Sequence, residues 1–245
     1  MINIVIPMAG MGKRFVDAGF DKPKPFIDVM GKPMIQHVLE NLSIPDAQFI
    51  LIARREHCEQ NQDIVNDLSR KFPIKIIKIE KLTEGSVCTV LFAKKFIDNK
   101  NPLLIANSDQ IVDFNIKDFV RDAQERKLDG SILTFIDTEK SSKWSFAKIN
   151  KKKLVIEVQE KKPISEFATV GIYYYSKGTY FIDASIEMII NNERVNNEFY
   201  TCPTYNYLIA NKKKIGIYNI DAKDMHGTGT PDDLKVFIRN RKIIC

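Results

Sequence analysis

Glycines and cations near the amino terminus could bind a chain of phosphates. The apolar run at residues 2–8, which ends at Met8, predicts a buried strand, and the small-residue turn Ala9-Gly10-Met11-Gly12 follows it. Lys13 and Arg14 come directly after the turn. The two glycines have no Cβ, so the backbone can turn sharply and bring its N–H groups close to a ligand oxygen. A strand, a glycine turn and paired cations together predict a polyphosphate site.

A second cationic segment, Lys22-Pro23-Lys24-Pro25, follows shortly afterwards. Each proline fixes its own φ and favours an extended conformation of the residue before it, so the two ammonium groups stand on a stiff frame. The glycine turn by itself is a weak signal, since it lacks the G-x-x-x-x-G-K-[ST] spacing of a P-loop and the third glycine of a dinucleotide-binding fingerprint. An ordinary strand-to-helix turn would also explain Gly10 and Gly12.

Asp109 is the carboxylate best placed to hold a metal ion. It ends the segment Leu103-Leu104-Ile105-Ala106-Asn107-Ser108-Asp109-Gln110, where an apolar strand meets its loop. A carboxylate beside a phosphate site can bind Mg²⁺ by one oxygen while the ion bridges substrate phosphates. Aspartate is also common in turns at strand ends, so a structural role is the alternative. A zinc site or a disulfide framework is not expected, because the cysteines are scattered without a C-x-x-C pair: Cys58, Cys88, Cys202 and Cys245.

Composition and charge narrow the class of protein. The chain has 245 residues, of which 44% are hydrophobic and 28% charged, as in an ordinary globular protein. Its net charge of +6 comes mainly from lysine, without the interleaved aromatic residues that a nucleic-acid surface needs. No apolar stretch approaches the length of a membrane span, and the first strand leaves no room for a signal peptide. We therefore expect a cytoplasmic protein that binds neither nucleic acid nor membrane.

Apolar strands alternate with helical segments through the first part of the chain. The predicted strands are residues 2–8, 48–53, 74–79, 102–107 and 131–136. The predicted helices between them are residues 34–42, 59–72, 87–97 and 116–126. The alternation predicts an α/β fold with a mostly parallel, Rossmann-like sheet flanked by helices. Ligands of such sheets bind at the carboxyl ends of strands, where the glycine turn and Asn107 would both lie.

The pattern changes near residue 143. Residues 146–150 and 154–159 predict an antiparallel hairpin, and further elements are expected at residues 168–175, 178–190, 204–210, 215–220 and 231–240. We find no repeat, low-complexity linker or second domain. We expect one domain, residues 1–245, in which residues 1–140 bind a nucleotide and residues 141–245 add an antiparallel, acceptor-binding part to the same sheet.

The motifs occur in a known order. Pro7-x-Ala9-Gly10-x-Gly12-x-Arg14, then Pro23-Lys24-Pro25-Phe26, then Gly31-Lys32-Pro33-Met34 resembles the signature of the sugar-phosphate nucleotidylyltransferases. The resemblance extends from Ile4 to Leu234 and is closest to short members without a β-helix extension. It implies a GT-A-like fold and transfer of a nucleotidyl group to a phosphorylated acceptor, with Mg²⁺ as cofactor and release of pyrophosphate.

The resemblance also implies roles for single residues. Arg14, Lys24 and Asp109 would be catalytic, with Arg14 and Lys13 at the β- and γ-phosphates, Lys24 at the α-phosphate and Asp109 on Mg²⁺. The nucleotide contacts would be Met8, Ala9, Gly10, Gly12, Lys13, Arg14, Glu84, Gly85 and Ser108. The acceptor contacts would be Trp144, Glu160, Lys161, Gly171 and Glu198. From the residues alone, Glu160 and Lys161 could equally form a surface ion pair, and Trp144 could pack over the edge of the core.

The last motif departs from the family pattern. Relatives typically have W-x-D-x-G-T, in which the aspartate is the second metal ligand, whereas this chain has Met225-His226-Gly227-Thr228-Gly229-Thr230. Either Asp109 and the phosphates hold the metal alone, or Asp224 or His226 substitutes. His226 is the less favoured ligand, since Mg²⁺ prefers oxygen.

The donor base and the acceptor stay open at this point. We slightly favour CTP, with a sugar 1-phosphate or a small non-sugar phosphate as acceptor, in the synthesis of a capsule or other surface polysaccharide. One alternative is a glycosyltransferase, although Asn107-Ser108-Asp109 keeps only half of the D-x-D pair such enzymes use. The other is a regulatory nucleotide-binding homologue. The sequence does not fix the oligomeric state, and a homo-oligomer is one option.

Overall fold

The strands and helices follow the alternation that the sequence predicts. A computed structural model describes residues 1–244, with side chains described as far as residue 241, so Cys245 lies outside the described residues. The strands are β1 (Ile2–Pro7), β2 (Asp28–Val29), β3 (Lys32–Pro33), β4 (Ala47–Arg54), β5 (Ile74–Ile79), β6 (Leu103–Ala106), β7 (Gln110–Val112), β8 (Gly130–Ile136), β9 (Ser145–Ile149), β10 (Val155–Glu160), β11 (Phe167–Tyr175), β12 (Ile215–Ile220) and β13 (Met225–Gly227). The helices are α1 (Lys13–Asp17), α2 (Met34–Asn41), α3 (Arg55–Gln60), α4 (Gln62–Lys71), α5 (Ser86–Leu91), α6 (Lys94–Ile97), α7 (Ile116–Glu125), α8 (Gly178–Ile190), α9 (Thr204–Ala210) and α10 (Pro231–Ile244).

Nine strands form one mixed sheet. Its main path runs β10-β9-β11-β6-β1-β4-β5, while β8 pairs with β11 and β12. Strands β6, β1, β4 and β5 are parallel, and β11 runs antiparallel to β6, β8 and β9. The predicted α/β fold, with a Rossmann-like sheet and antiparallel strands in the later half, is confirmed. None of the helices within residues 1–244 is both long and apolar enough to cross a bilayer.

Both faces of the sheet are buried. Along β1, Ile4 and Ile6 pack into the core on one face and Val5 packs into the core on the other. All three side chains are fully buried. The near-continuous apolar runs of the central strands follow from this burial, because a strand covered on both faces has no solvent-facing position.

Two of the predicted helices are each broken into two. The helix expected at residues 59–72 divides into α3 and α4 at Asn61, whose φ of −131° is not helical. The buried side chain of Asn61 donates a 2.9 Å hydrogen bond to the carbonyl of His57, which satisfies an acceptor at the end of α3. The helix expected at residues 87–97 ends early because the amide of Ala93 bonds three residues back, to Val90, and tightens the last turn of α5.

A two-stranded ribbon, β7 with β13, was not predicted. Gly227 lies opposite Gln110 in its antiparallel register, and Met225 lies opposite Val112. Beyond the ribbon, the amide and the hydroxyl of Thr228 both donate 2.9 Å hydrogen bonds to the carbonyl of Asp109. The ribbon therefore holds the last sequence motif directly beside Asp109.

Gly171 marks an irregularity in β11 beside the end of β6. Its φ is +89°, and the pairing of β11 with β8 shifts register between Thr169 and Tyr173. The amide of Asn107 donates a 3.0 Å hydrogen bond to the carbonyl of Gly171. A Cβ added to Gly171 would lie 2.3 Å from Nδ2 of Asn107. A side chain at position 171 would thus collide with the residue that ends the central strand.

We expect Gly171→Ala to lower the free energy of unfolding by about 3 kcal/mol, from backbone strain and from overpacking against Asn107. Chemical denaturation measures the change. Gly10→Ala is the control, since its Cβ would meet nothing within 4 Å and its φ is not positive. Adding Asn107→Ala to Gly171→Ala should recover the part of the lost free energy of unfolding that comes from overpacking. Wild-type stability of Gly171→Ala would contradict this interpretation.

Candidate active site

A cavity of about 680 Å³ opens at the carboxyl ends of β1 and β6. We call it the central cavity. Its walls come from the glycine turn after β1, from the loops at residues 82–86 and 107–110, and from later segments around residues 143–145, 160–161 and 198–202. Its volume lies within the range of about 300–1,000 Å³ that is usual for small-molecule sites. Both the first and the later part of the chain contribute to it.

The structure brings together most of the residues that the sequence singled out. Those that line the central cavity are Ala9, Gly10, Arg14, Gly85, Ser108, Asp109, Trp144, Glu160, Lys161, Gly171 and Glu198. Lys24 does not itself line the cavity, but its ammonium group is paired with Asp109, which does. Four of the expected nucleotide contacts and one expected metal ligand are not among the lining residues: Met8, Gly12, Lys13, Glu84 and Asp224.

The ion pair between Lys24 Nζ and Asp109 Oδ2 lies at the edge of the cavity. The two side chains are only 16% and 19% exposed, so water screens the pair less than it would at the surface. Lys24 begins a short 3₁₀ turn, residues 24–26, whose Phe26 is buried in the core. Its ammonium group also lies 5.7 Å from the ring centroid of the buried Phe15. The apolar neighbours hold the lysine in place.

Two glycines make room for this pair. Gly12 has a φ of +60° and caps α1, and a Cβ on it would lie 3.1 Å from Cβ of Lys24. A Cβ on Gly229 would lie 3.3 Å from Oδ2 of Asp109. Gly12 therefore acts on the site by allowing Lys24 to approach, without itself lining the cavity.

The side chains of Met8, Lys13 and Glu84 are placed differently from the sequence expectation. Met8 is buried in the core, and its amide donates a 2.8 Å hydrogen bond to the carbonyl of Ile52. Lys13 is exposed at the start of α1. Glu84 forms a 2.8 Å salt bridge with Arg194 and is 64% exposed. None of the three residues lines the central cavity.

The loop at residues 84–87 is joined to the segment at residues 198–201. The amide of Phe199 donates to the carbonyl of Glu84 at 2.8 Å, and the amide of Val87 donates to the carbonyl of Phe199 at 3.0 Å. A Cβ on Gly85, whose φ is +113°, would lie 2.4 Å from the carbonyl oxygen of Phe199. Gly85 thus has a packing role in addition to lining the cavity.

Glu160 and Lys161 do not form the surface ion pair that was the alternative. Glu160 accepts a hydrogen bond from the hydroxyl of Ser145, whereas Lys161 Nζ donates to the hydroxyl of Tyr200 at 2.7 Å. Burial raises the pKa of the Glu160 carboxyl, and it outweighs the opposing effects of Ser145 and Lys161. Burial likewise raises the pKa of the Tyr200 hydroxyl.

Trp144 contacts both the core and the central cavity. Its ring lies edge-on to Phe135 at a centroid distance of 5.4 Å, at the margin of the core. It also lines the central cavity. The ammonium group of Lys143 lies 4.6 Å from the centroid of its ring.

Asp224 and His226 are not placed to replace the missing carboxylate at position 227. The carbonyl of Asp224 accepts a hydrogen bond from the amide of Asp113, four residues beyond Asp109. Four extended residues span about 13 Å. His226 Nε2 lies 2.8 Å from Oδ2 of Asp113. Within residues 1–244, no group of three or more His, Cys, Asp or Glu side chains is arranged to hold a metal ion.

Asp113 binds the closing helix rather than a ligand. Burial works against ionisation of its carboxyl, but hydrogen bonds from Arg241 and His226 lower its pKa. Arg241 belongs to α10, and the ring of His226 lies 5.6 Å from that of Phe237 on the same helix. His226 and the backbone of Asp224 thus belong to this structural contact, and a role for either residue as second metal ligand stays a prediction that the contact does not favour.

Sequence reasoning missed Gln110 and Ser145, which line the cavity. Both are buried polar residues, with Gln110 only 8% exposed and Ser145 7% exposed. Ser145 follows Trp144 directly, and Gln110 follows Asp109. Their position next to predicted site residues in the sequence was the one signal that could have indicated them.

Comparison with known proteins agrees with this geometry. A family model described as Nucleotidyl transferase matches residues 4–234, which is nearly the whole chain. The chain belongs to the nucleotidyl transferase family. The resemblance to sugar-phosphate nucleotidylyltransferases is thereby confirmed.

The most similar proteins of this family include one solved structure of nearly equal length. It is the nucleoside-diphosphate-sugar pyrophosphorylase from Vibrio cholerae RC9, with a TM-score of 0.84 and 27% identity over 96% of this chain and 99% of that one. UTP–glucose-1-phosphate uridylyltransferase AglF of Haloferax volcanii is 25% identical over 79% of this chain and 85% of its own length. The bifunctional protein GlmU of Methanocaldococcus jannaschii is 24% identical over 72% of this chain, but this chain spans only 40% of GlmU.

We expect Glu160→Gln to make this nucleotidyl transferase more stable relative to the wild type at pH 7.5 than at pH 4. The raised pKa of Glu160 means that folding favours its neutral form, so the ionised form costs stability above the folded pKa. Below the unfolded pKa both states are protonated and the difference disappears. Denaturation curves across this range measure it, with Glu157→Gln on the same strand as control. A stability difference that falls as pH rises would contradict the shift.

Proposed function

We propose that this chain transfers a nucleotidyl group from a nucleoside triphosphate to a phosphorylated sugar and releases pyrophosphate. The Lys24–Asp109 pair, at the edge of a cavity built from both parts of the chain, is the observation that carries the proposal. At that place the lysine could bind a polyphosphate substrate, and the carboxylate could bind the cation that accompanies it. The proposal takes residues 1–140 as the nucleotide-binding part and residues 141–245 as the acceptor-binding part of one domain.

Arg14 and the glycine turn would bind the β- and γ-phosphates. Arg14 is exposed at the cavity wall and forms no salt bridge within the described part of the chain. Its guanidinium group can therefore bind phosphate oxygens by paired hydrogen bonds without breaking an existing contact. Gly10 next to it leaves the backbone open, since a Cβ there would meet nothing within 4 Å.

Lys24 would act at the α-phosphate. An oxygen of the acceptor phosphate attacks the α-phosphorus, a new oxygen–phosphorus bond forms, and the bond to the bridging oxygen of the β-phosphate breaks, so that pyrophosphate leaves. No covalent enzyme intermediate is needed. The protein then contributes positioning and stabilisation of the charge that develops at phosphorus. Lys24 is suited to this because its ammonium group is already held at the site.

Asp109 is the residue that would hold Mg²⁺. Its carboxylate lines the cavity, and Thr228 fixes its backbone with two hydrogen bonds. A hard cation prefers such oxygen ligands. When bound, the ion would neutralise charge on the substrate phosphates.

The acceptor side of the cavity favours a sugar phosphate over a choline-type phosphate. Lys143 and Lys161 each lie 4.6 Å from a ring centroid, those of Trp144 and Tyr200 respectively. The lysines would bind the acceptor phosphate. They also cover the aromatic faces that a quaternary ammonium group would need. Glu160 and Glu198, on the same side, can accept hydrogen bonds from sugar hydroxyls.

For the donor base, we keep the prediction made from the sequence. CTP remains the favoured donor from the sequence, whereas AglF is named for UTP. A role in capsule or other surface polysaccharide synthesis in the cytoplasm, and the option of a homo-oligomer, also remain predictions. A screen of several triphosphates therefore belongs to the test.

The test is pyrophosphate release from CTP, UTP, dTTP, GTP or ATP with Mg²⁺ and a panel of sugar 1-phosphates and phosphocholine. We expect turnover with one triphosphate and a sugar 1-phosphate. Lys24→Ala should lower kcat by about 100- to 1,000-fold, as for the loss of one group that stabilises transition-state charge. Lys22→Ala is the matched control, because Lys22 is exposed on the same proline frame. A folded Lys24→Ala protein with wild-type turnover would contradict the role of Lys24, and transfer from a nucleotide-sugar alone would contradict the function.

A further inference from the structure

Gln110 lies opposite position 227, where this chain has a glycine. It follows Asp109 directly and lines the same cavity. In the β7–β13 ribbon it is the residue opposite Gly227. Side chains of directly opposite residues in an antiparallel pair lie on the same face of the ribbon. Gln110 therefore shares its face with a position that has no side chain.

The side-chain oxygen of Gln110 is buried and has no hydrogen-bond partner among the described residues. The residue as a whole is 8% exposed. A Cβ built on Gly227 would lie 3.7 Å from this oxygen, so the amide oxygen is within contact distance of the point where a side chain at position 227 would begin. An unpaired buried amide oxygen destabilises the folded state. Its retention beside Asp109 is explained if a ligand of the active enzyme pairs with it.

We propose that Oε1 of Gln110 is the second protein ligand, beside Asp109, of the divalent cation of this enzyme. The proposal rests on the proposed function, which requires such a cation with the triphosphate. Amide oxygens bind hard cations such as Mg²⁺. Gln110 would thus do for this chain what the family resemblance expects of a carboxylate at position 227.

An amide in place of a carboxylate lowers the affinity that we expect of the site for a free divalent cation. An amide is neutral, so the protein contributes the single negative charge of Asp109 to the cation, and Lys24 is paired to that same carboxylate. Free metal should therefore bind weakly, and the triphosphate oxygens must supply most of the negative charge. Metal and nucleotide should bind cooperatively, each strengthening the other.

The test is direct binding of Mn²⁺, by electron paramagnetic resonance, to the full chain with and without a non-hydrolysable triphosphate. Gln110→Met, which keeps the length but removes the amide, should weaken Mn²⁺ binding in the ternary complex by about tenfold or more. Gln110→Glu, which adds a charge, should tighten it. Gln159→Met is the matched control, since Gln159 does not line the cavity. Thermal unfolding without metal establishes that each variant is folded.

A second-site variant separates a ligand role from a packing role. Gly227→Asp restores a carboxylate, so Gln110→Met should cost much less Mn²⁺ affinity in that background than in the wild type. Unchanged Mn²⁺ affinity in both folded Gln110 variants would overturn the inference and leave the proposed function standing. Absence of triphosphate binding by the wild type would instead overturn the proposed function.

Discussion

The partly buried ion pair between Lys24 and Asp109 is the interaction on which the rest of the site depends. Charges removed from water must be paired, because an isolated one costs several kcal/mol. Lys24 follows the glycine turn after β1, and Asp109 follows β6, so the pair joins the ends of two adjacent parallel strands. It also places a cation and an anion at the carboxyl edge of the sheet. There the lysine could bind the negatively charged phosphates, and the aspartate could bind the metal ion.

Close approach of distant backbone segments gives the cavity its shape. Gly12 and Gly229 admit the ion pair, Gly85 lies against the backbone of Phe199, and Gly171 lies against Asn107. At each position a Cβ would meet the neighbouring segment. The Gly85 contact joins a loop of residues 1–140 to a segment of residues 141–245, and hydrogen bonds between Ser86 and Thr201 reinforce it. The earlier and later parts of the chain are thus joined directly at the wall of the cavity.

The nine strands of the main sheet, most helices and the carboxyl-edge location of Asp109 could be predicted because long apolar runs indicate burial directly. The β7–β13 ribbon could not, because three-residue strands are too short to show a period. Without the ribbon, Asp224 and His226 were plausible replacements for the carboxylate at position 227. The ribbon register places Gln110 opposite that position, and a cross-strand neighbour of this kind is not visible in the sequence.

The same limit applies to the residues around the glycine turn. Lys13 and Arg14 are equivalent as sequence, yet α1 begins at Lys13, and only Arg14 lines the cavity. Glu84 and Gly85 are neighbours as well. Gly85 lines the central cavity, whereas the carboxylate of Glu84 is paired with Arg194 and does not. Which of two adjacent residues faces a ligand depends on tertiary partners far along the chain.

The most direct measurement is a crystal structure with a non-hydrolysable triphosphate and Mg²⁺. The proposed chemistry predicts that Lys24 Nζ lies within hydrogen-bond distance of an α-phosphate oxygen and that Asp109 binds the metal. A triphosphate bound in the cavity with Lys24 still paired to Asp109, and no contact between Lys24 and the α-phosphate, would contradict it.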